Sequence, residues 1–207
     1  MSRAETNGRM IVKTEVNLFI RSIVHAANEI MGSREAKKVL NAVGAFSVVN
    51  DGALGKDAPD FLSDLGNEFA IRFQRNTAKY LMERIGCASF EFLRKNGFAF
   101  RNFVGFEDNY SSPSTPTKDL LEMLARVLTV YTGLDIRSFF QKDQVFFLEI
   151  DIREDESFSS DLYLLFFAGV LRAVGSWIDS GKAYSIMIAD HTIGRMDHKR
   201  VFLKILD

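Results

Sequence analysis

The chain has 207 residues, of which 47% are hydrophobic and 26% are charged, and its formal net charge is -1. This length suits a single sizeable core, and the hydrophobic share excludes a disordered chain. Because no dense Lys/Arg cluster is present, we expect no nucleic-acid binding, which depends largely on phosphate neutralisation. Nineteen phenylalanines against one tryptophan favour a thick apolar interior or an apolar pocket.

Cysteine content and apolar runs bear on the compartment. The single cysteine, Cys87, excludes a disulfide framework and a multi-thiolate zinc site within one chain. The first apolar stretch, residues 16–24, is interrupted by Asn17 and Arg21 and does not predict a secretory signal. The run 162–171 is about half the length of a membrane-spanning helix. We therefore expect a cytoplasmic protein with no transmembrane segment.

The N-terminal part predicts helices. Residues 1–12 are mostly polar and are predicted to be a disordered tail, with one domain over residues 13–207. Apolar residues at three- and four-residue steps then predict a helix from Lys13 to Met31 that ends at a glycine. Ser33 is expected to cap a second helix that runs to about Ala45.

The longest helical pattern runs from Asp60 to Ile85. Gly86 is predicted to break it, and a short helix from Ala88 to Lys95 follows. An exposed loop is expected over residues 107–117. Within it, Thr115 followed by proline is predicted to open another helix, because proline is favoured at the first helical position.

The hydrophobic period then changes from 3.6 to 2. Alternating residues predict an antiparallel hairpin of residues 134–140 and 145–152, followed by a strongly apolar helix to about Asp179. A second hairpin is predicted from residues 184–189 and 199–206. This order predicts an α+β fold: a helical layer packed on a twisted antiparallel four-stranded sheet, with the two hairpins separated by the buried helix.

Small residues cluster in the apolar helix at Ala168, Gly169, Ala173 and Gly175. A glycine inside a helix costs about 1 kcal/mol relative to alanine, so two of them suggest a steric requirement. The requirement is interpreted as close packing within the core, against a second copy, or against a ligand.

No catalytic motif emerges from the spacing of residues. The glycines match neither phosphate-loop pattern, and no serine nucleophile elbow is present. Cys87 is either a thiol activated at a helix N-terminus or a buried, inert one. The acidic residues between positions 151 and 156 are interpreted as a solvated turn. Binding is therefore favoured over catalysis, and an enzyme is the third hypothesis.

Histidines are the candidate ligands for iron or another metal. His25, in the first helix, is interpreted either as a lone axial haem ligand or as a core residue. His191 and His198 flank the last turn and, together with Asp190 or Asp197, would form a metal site; the alternative is exposure to solvent. No particular cofactor is predicted from these residues.

The final third of the chain contains a run of aromatic and small residues that is similar to the pattern of a known family. It comprises residues 166–171, Gly175, the strand 184–189, Gly194 and residues 201–205. These resemble the 4-vinyl reductase domain family, and the resemblance would extend over residues 13–207. It implies a helical layer on an antiparallel sheet, related to small subunits of vesicle-tethering complexes and to haem nitric-oxide-binding domains, with small hydrophobic ligands and a dimeric state. The family's cysteines near the last turn and the Tyr-x-Ser-x-Arg element of the haem relatives are both missing.

The leading functional hypothesis is a non-catalytic domain that binds or senses a small apolar molecule, as a homodimer. Its pocket is predicted between the long helix, the apolar helix and the first hairpin, lined by Phe69, Phe73, Phe146, Leu148, Phe166, Phe167, Gly169 and Leu171. The alternative is a protein-interaction module in which the same surface forms an obligate dimer or contacts a subunit of a larger assembly.

Overall fold

The computed structural model describes residues 3–45, 57–96, 115–141, 145–151, 162–178, 183–193 and 196–206. Its helices are α1 (Arg3–Met31), α2 (Ser33–Ala42), α3 (Ala58–Arg72), α4 (Arg75–Asn96), α5 (Thr115–Thr132) and α6 (Leu162–Ile178). Its strands are β1 (Ile136–Gln141), β2 (Val145–Asp151), β3 (Ala183–Ile193) and β4 (Met196–Leu206).

Glycines with positive φ end two of the helices. Gly32, at φ 77°, follows α1, and Gly133, at φ 74°, follows α5. Glycine adopts a positive φ with little strain because it lacks a Cβ atom, and both predicted stops are confirmed. The helix α1 begins at Arg3 rather than Lys13, and Ser33 does not cap α2, because the capping position is Gly32 and no side chain bonds there.

The predicted long helix is broken at a different place. The chain is extended at Phe73, between α3 and α4, and helix α4 then continues through Gly86 to Asn96. The prediction that Gly86 breaks the helix is therefore wrong. A glycine inside a helix has no side chain and so allows the backbone of a neighbouring helix to come close. At Gly86 this neighbour is α6.

Helix α6 lies at the centre of the packing. It packs along α4, contacts α3, and meets β3 and β4 with another face. Helices α1 and α4 pack together, and α5 contacts α1 and β1. The largest fully buried side chains are mostly aromatic and belong to α1, α3, α4, α5 and α6: Tyr131, Tyr163, Phe19, Phe61, Phe69, Phe90, Phe166 and Phe167.

The strands form one antiparallel sheet in the order β1-β2-β4-β3. Both predicted hairpins are present, as the β1–β2 and β3–β4 pairs, and their turns lie outside the described residues. Ile136, Leu148 and Ile150 are buried on the face that meets the helices. Because side chains alternate between faces, Phe139 and Phe147 lie on the outer face, where their rings stack with centroids 5.1 Å apart.

The predicted arrangement of layers is wrong. The described chain is mostly helical, and of its helices only α5 and α6 pack extensively on the sheet. Helices α1 to α4 pack chiefly against one another and against α5 and α6. One helical layer on the sheet could not bury the apolar faces of six helices, so the helices bury one another. No helix in the described ranges is long and apolar enough to cross a membrane.

Two threonine hydroxyls fix the connection from α5 to β1. The Ile136 amide donates a hydrogen bond to Oγ1 of Thr129 at 3.1 Å, and that hydroxyl lies 3.3 Å from the Ile136 carbonyl oxygen. The Thr132 hydroxyl accepts from the Leu134 amide at 3.2 Å and donates to the Leu128 carbonyl. Backbone groups at the helix end are thereby satisfied without water.

Candidate functional site: a cavity between α4, α6 and β3

The close crossing of α4 and α6 is the frame of the candidate site. A Cβ atom on Gly86 would lie 2.0 Å from the Phe166 carbonyl oxygen, and one on Gly169 would lie 2.0 Å from the Glu83 carbonyl oxygen. The two backbones are therefore in direct contact. Of the three interpretations of the small residues in α6, Gly169 supports close packing within the core.

Polar groups line this crossing on both sides. Nε of Arg172 lies 2.5 Å from Oε1 of Glu83, a salt bridge between half-exposed side chains. The Cys87 thiol donates a hydrogen bond to the Gly169 carbonyl oxygen, with Sγ 3.1 Å away. Burial, and secondarily the Glu83 carboxylate, raises the pKa of Cys87, so the thiol is protonated near pH 7. It therefore lacks the activation that a nucleophile needs.

A cavity of about 320 Å³ opens beside the crossing. Its apolar walls come from Leu165 and Ala168 of α6 and from Ile186 and Ile188 of β3. Its polar walls come from Lys79 and Glu83 of α4 and from Arg172 of α6. The cavity is thus half-open to solvent, with apolar side chains from α6 and β3 and charged side chains from α4 and α6.

The charged side carries a net positive charge. Glu83 is already paired with Arg172, so these two charges offset each other. Lys79 is half-buried and makes no ion pair within the described part of the chain. An ammonium group beside an apolar surface and without a counter-ion favours an anionic group in the cavity.

The predicted ligand residues lie mainly in the packed interior. Phe69, Leu148, Phe166, Phe167 and Leu171 belong to one continuous core cluster, and Phe73 packs against it. Phe166 meets the ring of Phe19 at 5.6 Å and that of Phe167 at the same distance, edge to face in both contacts. The side chain of Phe146 lies outside the described ones, and none of the predicted residues lines the cavity beside the crossing. Their role in ligand binding stays a prediction.

The three histidines occupy separate regions. His25 is exposed on α1, 3.9 Å from Glu29 and against the ring of Phe92, so it is not a core residue. His191 and His198 are paired directly across β3 and β4. Among the residues whose side chains are described, no group of three or more His, Cys, Asp or Glu residues forms a metal site. The side chains of His191 and His198 are outside that set.

Sequence reasoning missed the cavity because its lining comes from three distant segments. Lys79 and Glu83 are four residues apart and so share one face of α4. Leu165, Ala168 and Arg172 likewise share one face of α6. Each stripe is visible in the sequence, but nothing local indicates that the two meet β3.

Comparisons with known proteins identify the fold. No protein-family model and no curated protein matches the chain. Solved structures of H-NOX domains match it along almost its whole length. One, described as an oxygen-binding H-NOX domain related to soluble guanylate cyclases, is 9% identical with a TM-score of 0.56, over 91% of this chain and 93% of that chain.

Two further matches give the same picture. A mutant H-NOX protein from S. oneidensis in the Fe(II) ligation state is 11% identical with a TM-score of 0.53, over 92% of this chain and 96% of that chain. A mutant H-NOX from T. tengcongensis is 9% identical with a TM-score of 0.56, over 91% and 96%. At such identities the likeness shows that this chain has the H-NOX fold.

The resemblance to the 4-vinyl reductase domain family is therefore a misassignment. The matching structures described here are H-NOX domains, and none of them is a 4-vinyl reductase domain. The resemblance depended on the apolar residues of α6 and of the last two strands. Any buried helix followed by an antiparallel hairpin would show that pattern, so it did not discriminate between families.

Proposed function

We propose that this chain is a non-catalytic sensor domain whose cavity between α4, α6 and β3 binds a small molecule with an apolar body and an anionic head. One observation carries the proposal. The cavity joins four apolar side chains to an ammonium group, Lys79, that has no ion-pair partner among the described residues. The ligand would therefore bury its apolar part against α6 and β3 and direct its charge to Lys79.

The dimensions of the cavity suit a small ligand. Its volume of about 320 Å³ lies at the lower end of the range for ligand sites, roughly 300 to 1,000 Å³. A short or medium acyl chain with a carboxylate has this size and polarity. The Glu83–Arg172 salt bridge borders the charged side, and Glu83 repels a second negative charge, so a monoanion is favoured over a dianion.

A ligand at this place would contact two helices and one strand at once. Because α4 and α6 are locked together at Gly86 and Gly169, they provide a rigid wall. The opposite wall, Ile186 and Ile188, belongs to β3, an edge strand. Binding would thus bias the position of the second hairpin relative to the helices, which is the kind of response that a sensor domain requires.

The described side chains that line the cavity do not fit haem. Haem proteins hold iron through histidine, cysteine thiolate, methionine or tyrosine, and none of these lines the cavity. His25 is exposed on α1, and the thiol of Cys87 is engaged with Gly169 and protonated. Tyr131 and Tyr163 are packed against phenylalanine rings in the core. From the H-NOX neighbours, one of which is described as oxygen-binding, we therefore take the binding of a small ligand and not the haem.

The test compares two probes of equal chain length, decanoate and decanol, by native mass spectrometry and by displacement of a fluorescent fatty acid. We expect the purified chain to bind decanoate and to prefer it over decanol. Lys79→Met should remove that preference, whereas Lys38→Met, which removes a lysine at another surface, should not. Leu165→Trp should fill the cavity and abolish binding of both probes.

Matched controls separate occupancy from damage to the fold. Ser176→Trp adds the same bulk to α6 at an exposed position outside the cavity and should bind decanoate normally. Equal affinity of Lys79→Met and the wild type for decanoate would overturn the anionic head. Normal binding by Leu165→Trp would overturn the location, and failure of the wild type to bind either probe would overturn the proposal.

A homodimer is the second candidate, supported by the outer face of the sheet. Phe139 and Met187 are 41% and 53% exposed. Through Phe147 and Phe202, the register joins them into one apolar row across all four strands. Light scattering at low micromolar concentration tests this: a dimer that Phe139→Ser and Met187→Ser together convert to a monomer supports it, and a monomeric wild type opposes it.

A further inference from the structure

The register of the sheet brings two histidines and one aspartate together at one end. His191 of β3 pairs with His198 of β4, and His198 in turn pairs with Asp151 of β2. Residues directly opposite one another in antiparallel strands share a face, with Cβ atoms about 4.5 to 5.5 Å apart. The three residues are therefore consecutive positions of one row across β3, β4 and β2.

This row lies on the face turned away from the helices. Leu148 and Ile150 of β2 are buried against the helices. Asp151 is the next residue after Ile150, and successive residues of a strand alternate between the faces. Asp151, and with it His198 and His191, consequently belongs to the outer face, away from the cavity between α4, α6 and β3.

The same alternation excludes the two aspartates beside the histidines in sequence. Asp190 pairs with Lys199, and Asp197 pairs with Thr192. Both pairs are one step out of phase with the His191–His198 pair, so they belong to the opposite face. The carboxylate that shares a face with both histidines is the more distant one in sequence, Asp151.

We propose that His191, His198 and Asp151 form a binding site for a divalent transition-metal ion of the zinc class. Two imidazoles and one carboxylate form a donor set that suits such an ion, and three protein ligands leave a coordination position open for water. The residues come from three adjacent strands, so the ion would tie both hairpins together. This site is independent of the ligand cavity and of any haem.

The charges around the row are compatible with a cation. Asp135 directly precedes Ile136, whose partner is Ile150, so a further carboxylate lies at the same end of the sheet. The neighbouring row on the outer face contains Arg137, Glu149 and Arg200 at consecutive positions. Glu149 lies between the two arginines in this row, and Arg137 also forms an ion pair with Asp135. The two carboxylates offset the positive charge of the two arginines.

The experiment measures Zn²⁺ binding to the full chain by isothermal titration calorimetry, with Co²⁺ absorption as a second readout. We expect one ion per chain. His191→Ala and His198→Ala should each abolish binding. Loss of a residue that only hydrogen-bonds to a metal ligand lowers metal affinity by roughly 10- to 100-fold. Asp151→Asn removes a proposed ligand and should therefore lower the Zn²⁺ affinity by more than this. It should also change the visible Co²⁺ spectrum.

The matched controls are Asp190→Asn, Asp197→Asn and His25→Ala, which should bind Zn²⁺ as the wild type does. Circular dichroism without metal tests whether each variant is folded. If a histidine variant is unfolded, Asp151→Asn, which is an isosteric change at a strand end, still tests the site. Weakening by Asp190→Asn or Asp197→Asn but not by Asp151→Asn would overturn the proposed ligand set. Absence of stoichiometric binding by the wild type would overturn the site.

Discussion

Gly86 and Gly169 face each other where α4 crosses α6, and a Cβ atom added to Gly86 would lie 3.2 Å from the Cα atom of Gly169. At this point each helix contacts the backbone of the other. The carbonyl oxygens of Glu83 and Phe166 occupy the space that side chains on these glycines would need. A contact between backbones allows no rotamer change to relieve a clash.

Substituting alanine for either glycine should destabilise the protein. Alanine improves helix propensity by about 1 kcal/mol, but the clash with a carbonyl oxygen requires the helices to separate. We expect Gly86→Ala and Gly169→Ala each to lower the free energy of unfolding in urea by about 1–3 kcal/mol. Ser176→Ala, on the exposed face of α6, should change it by less than about 0.5 kcal/mol. Stabilisation by Gly169→Ala would contradict the close crossing.

Ser89 and Ser22 form a natural pair for measuring the effect of a buried hydroxyl group. Both are fully buried in helices, but the Ser22 hydroxyl donates to the Phe19 carbonyl at 2.6 Å, whereas Oγ of Ser89 has no hydrogen-bond partner among the residues that the structure describes. Ser89→Ala should therefore stabilise the protein by about 1 kcal/mol, because an unsatisfied polar group leaves the core. Ser22→Ala should be neutral or destabilising by about 1 kcal/mol. Equal effects in thermal unfolding would refute the distinction.

Cys87 should react slowly with alkylating reagents at neutral pH. Its pKa is raised by burial and by the Glu83 carboxylate, so little thiolate is present. Glu83→Gln should lower the thiol pKa and accelerate alkylation at a fixed pH, because it removes the anion and leaves Arg172 unpaired nearby. Since the folded state holds this proton more tightly than the unfolded state does, Cys87 stabilises the fold below the ordinary thiol pKa. That contribution is lost as the pH rises through the raised value. Alkylation as fast as that of an exposed thiol would contradict this account.

The Thr129 hydroxyl should be needed for the connection between α5 and β1. Thr129→Val keeps the shape of the side chain but leaves the Ile136 amide without its acceptor. We expect a loss of about 1–3 kcal/mol, and each kcal/mol corresponds to about 2–4 °C in the melting temperature for a chain of this size. Thr129→Ser keeps the hydroxyl and should retain most of the stability. Equal melting temperatures for the valine and serine variants would refute the role of the hydrogen bond.

Local patterns predicted the elements better than their arrangement. The stops at Gly32 and Gly133 and both hairpins could be predicted, because left-handed glycines and a period of two leave a local signal. The passage of α4 through Gly86 could not, since its cause is a carbonyl group of α6 some 80 residues further along the chain. The cavity was missed for the same reason, and the apolar pattern of α6 suggested the wrong family.

Strand order has a consequence for how this chain folds. Although β4 follows every other described strand in sequence, it is an inner strand of the sheet, and the edges are β1 and β3. The β1–β2 hairpin therefore lacks its neighbour until residues 196–206 have been synthesised. A contact so distant in sequence closes late and slows folding. Until then β2 presents an unpaired edge next to the apolar side chains of Phe147 and Leu148, and such an edge favours aggregation of the incomplete chain.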